Sequence, residues 1–260
     1  MREELIDIHS HILPAIDDGA KNIEKTLEML QIASDNGIKK IVATPHFYRG
    51  YYENKYIDIC KLVEEVNAKV KEKQINVEIF PGQEVFLDTH TLGLFKEGII
   101  QGINGTRYML IELPMDTMPK NALDIIYELR VLGIVPIIAH PERYVYIMEK
   151  PSLINNFIDE NCLFQINSGS IQGIFGKSVQ KTSEILLSHS VCSFIASDAH
   201  STKTRVPKIE EALERTGNLN STLKVSLIEN MGKLLSDEQI LSTAEKVKEK
   251  KSIFSFFKNK

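Results

Sequence analysis

Seven short runs rich in β-branched and aliphatic residues recur along this chain, over 5–8, 39–44, 77–82, 107–113, 134–139, 162–166 and 191–197. They read as buried strands, and they start roughly every 30 residues, the length of one βα unit. Helix-like stretches lie between them, clearest over 22–36, 55–73, 121–132 and 179–188. Gly37 and Gly133 fall just past two of the helix ends and Pro119 near a helix start, where these residues are favoured. Parallel strands joined through helices require right-handed crossovers, which leaves a barrel or an open wound sheet. Beyond Pro207 the pattern turns helical only, over 208–216, 219–231 and 237–251, and no linker precedes it. These segments are expected to pack as terminal helices on the same core. The expectation is one domain over 1–247 followed by a short basic tail, 248–260.

Composition narrows the setting. The 260 residues are 43% hydrophobic and 25% charged, enough for one sizeable core without metal or disulfide staples. The first residues lack the apolar stretch of a secretory signal, and the longest apolar run, 131–139, holds a Gly and a Pro. Three widely spaced cysteines, Cys60, Cys162 and Cys192, suit a reducing compartment. A cytoplasmic protein is expected. The net charge of -4 gives no general attraction to polyanions and no basic stripe for nucleic acid, so a phosphate-bearing substrate would need local cations.

The ionisable residues cluster at one place in the pattern. His9 and His11 end the first run, His46 the second, His140 the fifth, and His200 follows the seventh. Glu84 follows the third, Glu112 ends the fourth, and Asp198 stands two residues before His200. The sixth delivers Asn167 instead. These are carboxyl ends of strands, where barrels and wound sheets build active sites. His9-Ser10-His11 puts two imidazoles on one face of a strand, since side chains alternate with period two. Each piece alone is weak evidence, because a lone carboxylate or H-x-H is more often salt-bridged or incidental. Together they are stronger, because acidic residues rarely sit beside apolar strands unless paired or ligating. Mixed imidazole and carboxylate donors suit Zn, Mn or Fe, and the set is large enough for more than one ion. His90 and His189 lie away from strand ends and are expected to be ordinary surface or packing residues.

Other hydrolytic machinery is excluded by position. A cysteine phosphatase needs Arg six residues after its Cys, but those positions hold Val66, Ser168 and Asp198. No D-x-D or G-x-S-x-G motif occurs, and the P-loop-like stretch 169–178 has Ile171 at a required glycine. That stretch reads as a loop. Metal-assisted hydrolysis is the chemistry best supported.

The segments DIHSHILPAIDDG (7–19), ATPH (43–46), IE (111–112), AHPER (139–143) and ASDAH (196–200) together resemble the bacterial protein-tyrosine phosphatases of the polymerase and histidinol phosphatase superfamily, the capsular and exopolysaccharide type. The resemblance runs in order and spacing from Leu5 to about Arg205. It implies an α/β fold, a distorted TIM-like (β/α)7 barrel with added C-terminal helices, and three divalent metal ions at its carboxyl end. One ion would use His9, His11, Glu84 and Asp198. Glu84 would bridge to a second, held also by Glu112 and His140, and a third would use Asp18, His46 and His200. Mn2+ is the expected metal, with Fe, Zn or Mg as alternatives. Arg143 and Arg205 match positions that hold substrate phosphate, and His46 or His200 would supply a proton or positioning. The implied substrate is phosphotyrosine, cleaved by a metal-activated hydroxide, on the tail of a bacterial tyrosine kinase at the membrane. Three divalent ions would outweigh the four carboxylates and make the site locally cationic despite the acidic chain.

Several readings stay open beside it. Other phosphoesterases of the same superfamily, an amidohydrolase- or deoxyribonuclease-like metallohydrolase, and a silent metal-binding docking module share parts of the pattern. Asp7 shares the face of His9 and His11 and would orient one of them or form an ion pair. Asn167 would contact water or substrate, or cap a loop. Tyr48, Arg49, Tyr51 and Tyr52 form either an aromatic platform or a disordered polar loop. Ile253, Phe254, Phe256 and Phe257 among lysines make the tail either a frayed or core-packed end or a segment for peripheral contact with an anionic membrane or a partner.

Overall fold

Ten strands are present in the computed structural model, which describes residues 4–249. In chain order they are β1 (Leu5–Ser10), β2 (Ile38–Ala43), β3 (His46–Tyr48), β4 (Tyr52–Glu53), β5 (Glu78–Pro81), β6 (Glu84–Phe86), β7 (Tyr108–Glu112), β8 (Val135–Ala139), β9 (Leu163–Asn167) and β10 (Phe194–Ala196). They reduce to seven staves. β2 passes through Thr44 and Pro45 into β3, and β5 passes through Gly82 and Gln83 into β6, so each pair is one strand with a break. β1, β2 and β5 form one sheet, and β10, β9, β8, β7, β6 and β3 another, every pairing parallel, with β4 added antiparallel to β3 as a hairpin. A parallel bridge between Ser10 and Ala199 and the bond from His11 N to Ala199 O (2.8 Å) bring the first and last staves together. The expected seven-stave barrel is the fold, and its distortion lies at the two breaks.

Both breaks have local causes. Pro45 donates no ladder hydrogen bond. At Gly82 a Cβ would lie 2.8 Å from Val42 Cγ1 and 3.0 Å from Thr44 Cγ2, so the staves approach this closely only over glycine. The breaks turn His46 and Glu84 into register with each other on β3 and β6.

Helices cover the staves with one apolar face each. Ile23–Asp35 buries Thr26, Met29, Leu30 and Ala33, and Tyr56–Glu72 buries Ile59, Val63, Val66 and Val70, both at helical spacing. Asn22 caps the former by accepting from Lys25 N at 2.9 Å, worth about 1 kcal/mol. Ser168–Gln172, expected as loop, is a short helix whose chain then turns through Gly173 at φ +82°. Glu210–Leu219 and Ser221–Leu235 are the terminal helices, the second burying Leu223, Leu227, Met231 and Leu234 beside β1 and β10.

The third expected terminal helix is absent among the described residues. Asp237 adopts φ 54° and ends the helical run, and 238–249 form an irregular strap. Ile240 and Val247 are buried, and their spacing mimics a helix. What holds the strap is hydrogen bonding that no periodicity records. The Tyr108 hydroxyl donates to Glu238 O and accepts from Ile240 N (3.1 Å), Arg107 grips Asp237, and Asn155 pairs both ways with the Val247 backbone (2.8 and 3.0 Å). The tail beyond Glu249, with Ile253, Phe254, Phe256 and Phe257, lies outside the described residues.

Candidate metal centre

Every stave except β9 delivers one of the expected donors to the same end of the barrel, and the side chains meet in a buried cluster centred on Glu84. Glu84 Oε2 lies 3.3 Å from His9 Nε2, 3.1 Å from His11 Nε2 and 3.1 Å from His46 Nδ1, while Oε1 lies 2.9 Å from His140 Nε2. Asp198 Oδ1 is 3.5 Å from His9 Nε2, and Glu112 is 3.8 Å from both His46 and His140. Asp18 Oδ1 reaches His200 Nε2 (3.3 Å) and His46 Nε2 (3.5 Å) on the more open side.

Donor atoms within 4.8 Å of one another form four groups: His11, Asp18, His46 and His200; His9, His11 and Glu84; His9, His140 and Asp198; and His46, Glu84 and Glu112. All nine expected donors are therefore brought together. The groups overlap more than the expected partition, with His11 joining the Asp18 group and His46 the Glu112 group.

Local backbone serves this convergence at a cost. His140 has φ 34° and Asp198 φ 52°, left-handed values that cost a non-glycine residue about 1–3 kcal/mol each. His140 directly follows β8 and Asp198 stands two residues past β10, where the chain must turn sharply to aim the side chain inward. Gly19 packs so tightly on the backbone of His11 that an added Cβ would lie 2.0 Å from His11 O. That contact folds the 12–18 loop back and brings Asp17 and Asp18 to the cluster.

The electrostatics are those of a cation site. Burial alone would raise Glu84, but His9, His11, His140 and His46 hold it well below the usual carboxylate range. Glu112 is pushed up to about 9 by burial and by the neighbouring Glu84 and Asp198 charges. Burial depresses His140 to about 4 and also lowers His46 and His200, leaving neutral imidazoles with lone pairs to offer. His46 Nδ1 is buried with no hydrogen-bond partner. His9 and His11 run the other way, raised, despite burial, by Glu84 and Asp198 and by Asp17 and Glu84 respectively, so divalent ions would displace their protons, take the lone pairs of the other three rings and offset the carboxylate charge.

Arg143 and Arg205 both reach the cluster, and both hold Asp198: Arg143 Nη1 donates to Oδ2 at 3.1 Å, Arg205 pairs with Oδ1, and Arg205 Nε donates to the Asp198 carbonyl at 3.1 Å. The Arg143 guanidinium also lies 4.8 Å over the Phe175 ring. The segment after His46 is an ordered hairpin rather than a disordered loop. Tyr48 stacks on Phe86 (4.1 Å) and Tyr51 (4.4 Å), Tyr52 stacks on His46 (5.8 Å), and Arg49 pairs with Asp88.

Two orienting residues escape a sequence reading. Gln165 Oε1 accepts from His9 Nδ1 at 2.8 Å, and Asp17 Oδ2 accepts from His11 Nδ1 at 2.7 Å. Gln165 had a faint signal, lying two residues before Asn167 on the same strand face; Asp17 had only its place beside Asp18. Asp7 orients neither ring and forms no ion pair among the described residues. It accepts from Ser197 N (2.9 Å) and from the Ser197 hydroxyl, tying β1 to the end of β10. Asn167 does not cap a loop; its amide donates to Asp198 Oδ2 at 2.6 Å. His90 is exposed and bound to Thr89 and Asp88, and His189 bonds Ile185 O at its own helix end.

Known proteins resemble this chain over most of its length. The family described as Capsular polysaccharide synthesis, CpsB/CapC, matches residues 5–236. Tyrosine-protein phosphatase YwqE of Bacillus subtilis is 36% identical over 254 residues, 97% of this chain and 100% of that protein. A chain from the crystal structures of YwqE from Bacillus subtilis and CpsB from Streptococcus pneumoniae, described as unique metal-dependent tyrosine phosphatases, superposes with a TM-score of 0.90 at 36% identity, covering 94% of this chain and 100% of that one. Histidinol phosphate phosphatase of Lactococcus lactis shares the fold, with a TM-score of 0.50 at 12% identity over 92% of this chain and 97% of that one.

Proposed function

This chain belongs to the CpsB/CapC family of capsular polysaccharide synthesis, and from that premise we propose that it is a metal-dependent protein-tyrosine phosphatase. The observation that carries the reading is the convergence of nine imidazole and carboxylate side chains with two arginines at the carboxyl end of the barrel. His9, His11, Glu84 and Asp198 would hold one divalent ion, Glu84, Glu112 and His140 a second, and Asp18, His46 and His200 a third. Mn2+ is the metal we favour. The ions would supply an activated water and neutralise phosphoryl charge.

The chain's own groups do the rest. Arg143 and Arg205, drawn from Asp198 by a dianion, bind the phosphoryl oxygens and stabilise the charge that develops on them. Phe175 keeps the Arg143 guanidinium aimed across the site. The leaving phenolate needs little help at a pKa of about 10, and His46 or His200 at the open edge supplies a proton or positions it. The hairpin of Tyr48 and Tyr52 offers aromatic faces to a phosphotyrosine ring.

The substrate we favour is a phosphotyrosine segment of a bacterial tyrosine kinase in capsule or exopolysaccharide synthesis. The unit that acts is residues 1–247, working in the cytoplasm. No helix among the described residues is long and apolar enough to cross a membrane. Comparing a phosphotyrosine peptide with histidinol phosphate and a nucleotide monophosphate tests the reading. Preferential release of phosphate from the peptide supports it, and selective hydrolysis of either small ester overturns it.

A further inference from the structure

β9 alone among the staves sends no expected donor to the cluster, yet its two inward side chains, Gln165 and Asn167, are wholly buried beside it. They form a continuous chain of hydrogen bonds between two members of the cluster. His9 Nδ1 meets Gln165 Oε1 at 2.8 Å, Gln165 Nε2 donates to Asn167 Oδ1 at 2.8 Å, and Asn167 Nδ2 donates to Asp198 Oδ2 at 2.6 Å. Asn167 is pinned from behind, its backbone N–H donating to buried Glu142 Oε1 at 3.0 Å.

The direction of this chain is fixed from one end. A carboxylate only accepts, so Asn167 must present its NH2 to Asp198 and its oxygen to Gln165. Gln165 must then present its NH2 to Asn167 and its oxygen to His9. An oxygen facing His9 Nδ1 requires that nitrogen to carry a proton, so the nitrogen left to bind an ion is Nε2, which faces His11, Glu84 and Asp198. Reversing any one amide would set two acceptors or two donors against each other in a buried site, at about 1–3 kcal/mol for each unmet group.

We propose that Gln165 and Asn167 are positioning residues that fix the ring tautomer of His9 from the carboxylate of Asp198, so that these two donors are prepared as a pair before any ion arrives. The proposal rests on the metal-centre reading above and deepens it. β9 thereby contributes to the site through orientation rather than ligation.

The test reads His9 from Asn167, with which it makes no hydrogen bond. In metal-free protein labelled with 15N-histidine, long-range 1H–15N spectra taken at alkaline pH, where the ring is neutral, should show His9 as the Nδ1–H form. Asn167→Leu removes the acceptor for Gln165 Nε2 and frees that amide to turn, so His9 should move toward the Nε2–H form and zinc affinity should fall about 10–100-fold. Gln165→Glu keeps an acceptor at His9 and should retain the Nδ1–H form, which keeps the test decisive where Asn167→Leu folds poorly. An unchanged His9 tautomer in folded Asn167→Leu, or its loss in Gln165→Glu, overturns the proposal. Failure of the wild-type protein to bind zinc would instead strike the metal-centre reading, since the tautomer is read without metal.

Discussion

The Nε2 atoms of His9 and His11 face each other at 3.3 Å, and the Nδ1 of each ring is already committed, one to Gln165 and the other to Asp17. With both Nδ1 protons so used, only the Nε2 atoms remain to face Glu84, and Glu84, Asp198 and Asp17 raise both rings so that Nε2 shares a proton there. A divalent cation between them would take the place of those protons. Removing bound metal with a chelator should therefore destabilise the fold as well as stop turnover. A ligand present at a thousandfold excess over its Kd contributes about 4 kcal/mol, several degrees in Tm for a chain of this length. Calorimetry before and after chelation checks this, with restoration on adding Mn2+ back.

Asp17 holds more than His11. Its Oδ1 accepts from Gly19 N (2.9 Å) and its Oδ2 from both His11 Nδ1 (2.7 Å) and His46 N (3.2 Å). Asp17→Asn replaces one of these acceptors with a donor, and at least one contact must be lost. Metal affinity should drop about 10–100-fold with the fold intact, measured by competition against a chelating dye alongside circular dichroism.

The two arginines should separate binding of phosphate from binding of metal. Arg143→Ala and Arg205→Ala should each lower kcat/KM on a phosphotyrosine peptide by about 10²-fold or more while retaining metal. Loss of metal in both variants would assign the arginines to holding Asp198 instead. Steady-state kinetics paired with elemental analysis distinguishes the outcomes.

Thiol chemistry should play no part in turnover. Burial pushes the Cys162 and Cys192 thiols far up, and burial also raises half-buried Cys60. A raised thiol pKa leaves less thiolate at neutral pH, so alkylation should reach Cys60 alone. It should accelerate with pH only above the range of a free cysteine, about 8.5. Mass spectrometry of iodoacetamide-treated native protein, with activity retained, is the expected result.

The strap gives a stability prediction away from the site. Tyr108→Phe leaves buried Ile240 N without its acceptor and Glu238 O without a donor. A loss of about 1–3 kcal/mol in unfolding free energy is expected from urea titration, with turnover unchanged.

These residues also mark what a sequence discloses. The seven staves are legible because each is a short apolar run, and the donors are legible only as a set, because His and carboxylates recur at the ends of nearly all such runs. The breaks at Pro45 and Gly82 are not legible, since one residue's clash with Val42 and Thr44 is a fact of packing. The helix expected from Asp237 onward failed because Ile240 and Val247 share a helical spacing while Tyr108, Arg107 and Asn155, remote in sequence, dictate an extended path. Gln165 and Asp17 stayed hidden for a similar reason: a side chain that orients a ligand is recognised only by the atom it touches.

Titration of Mn2+ into metal-stripped protein, with phosphate release from a phosphotyrosine peptide measured at each addition, tests the metal-centre reading most directly. Turnover should be absent without metal, rise with the first equivalents, and level off by about three per chain, the number of ions proposed for the donor set. Full turnover in the stripped protein, or none in the loaded one, would contradict it.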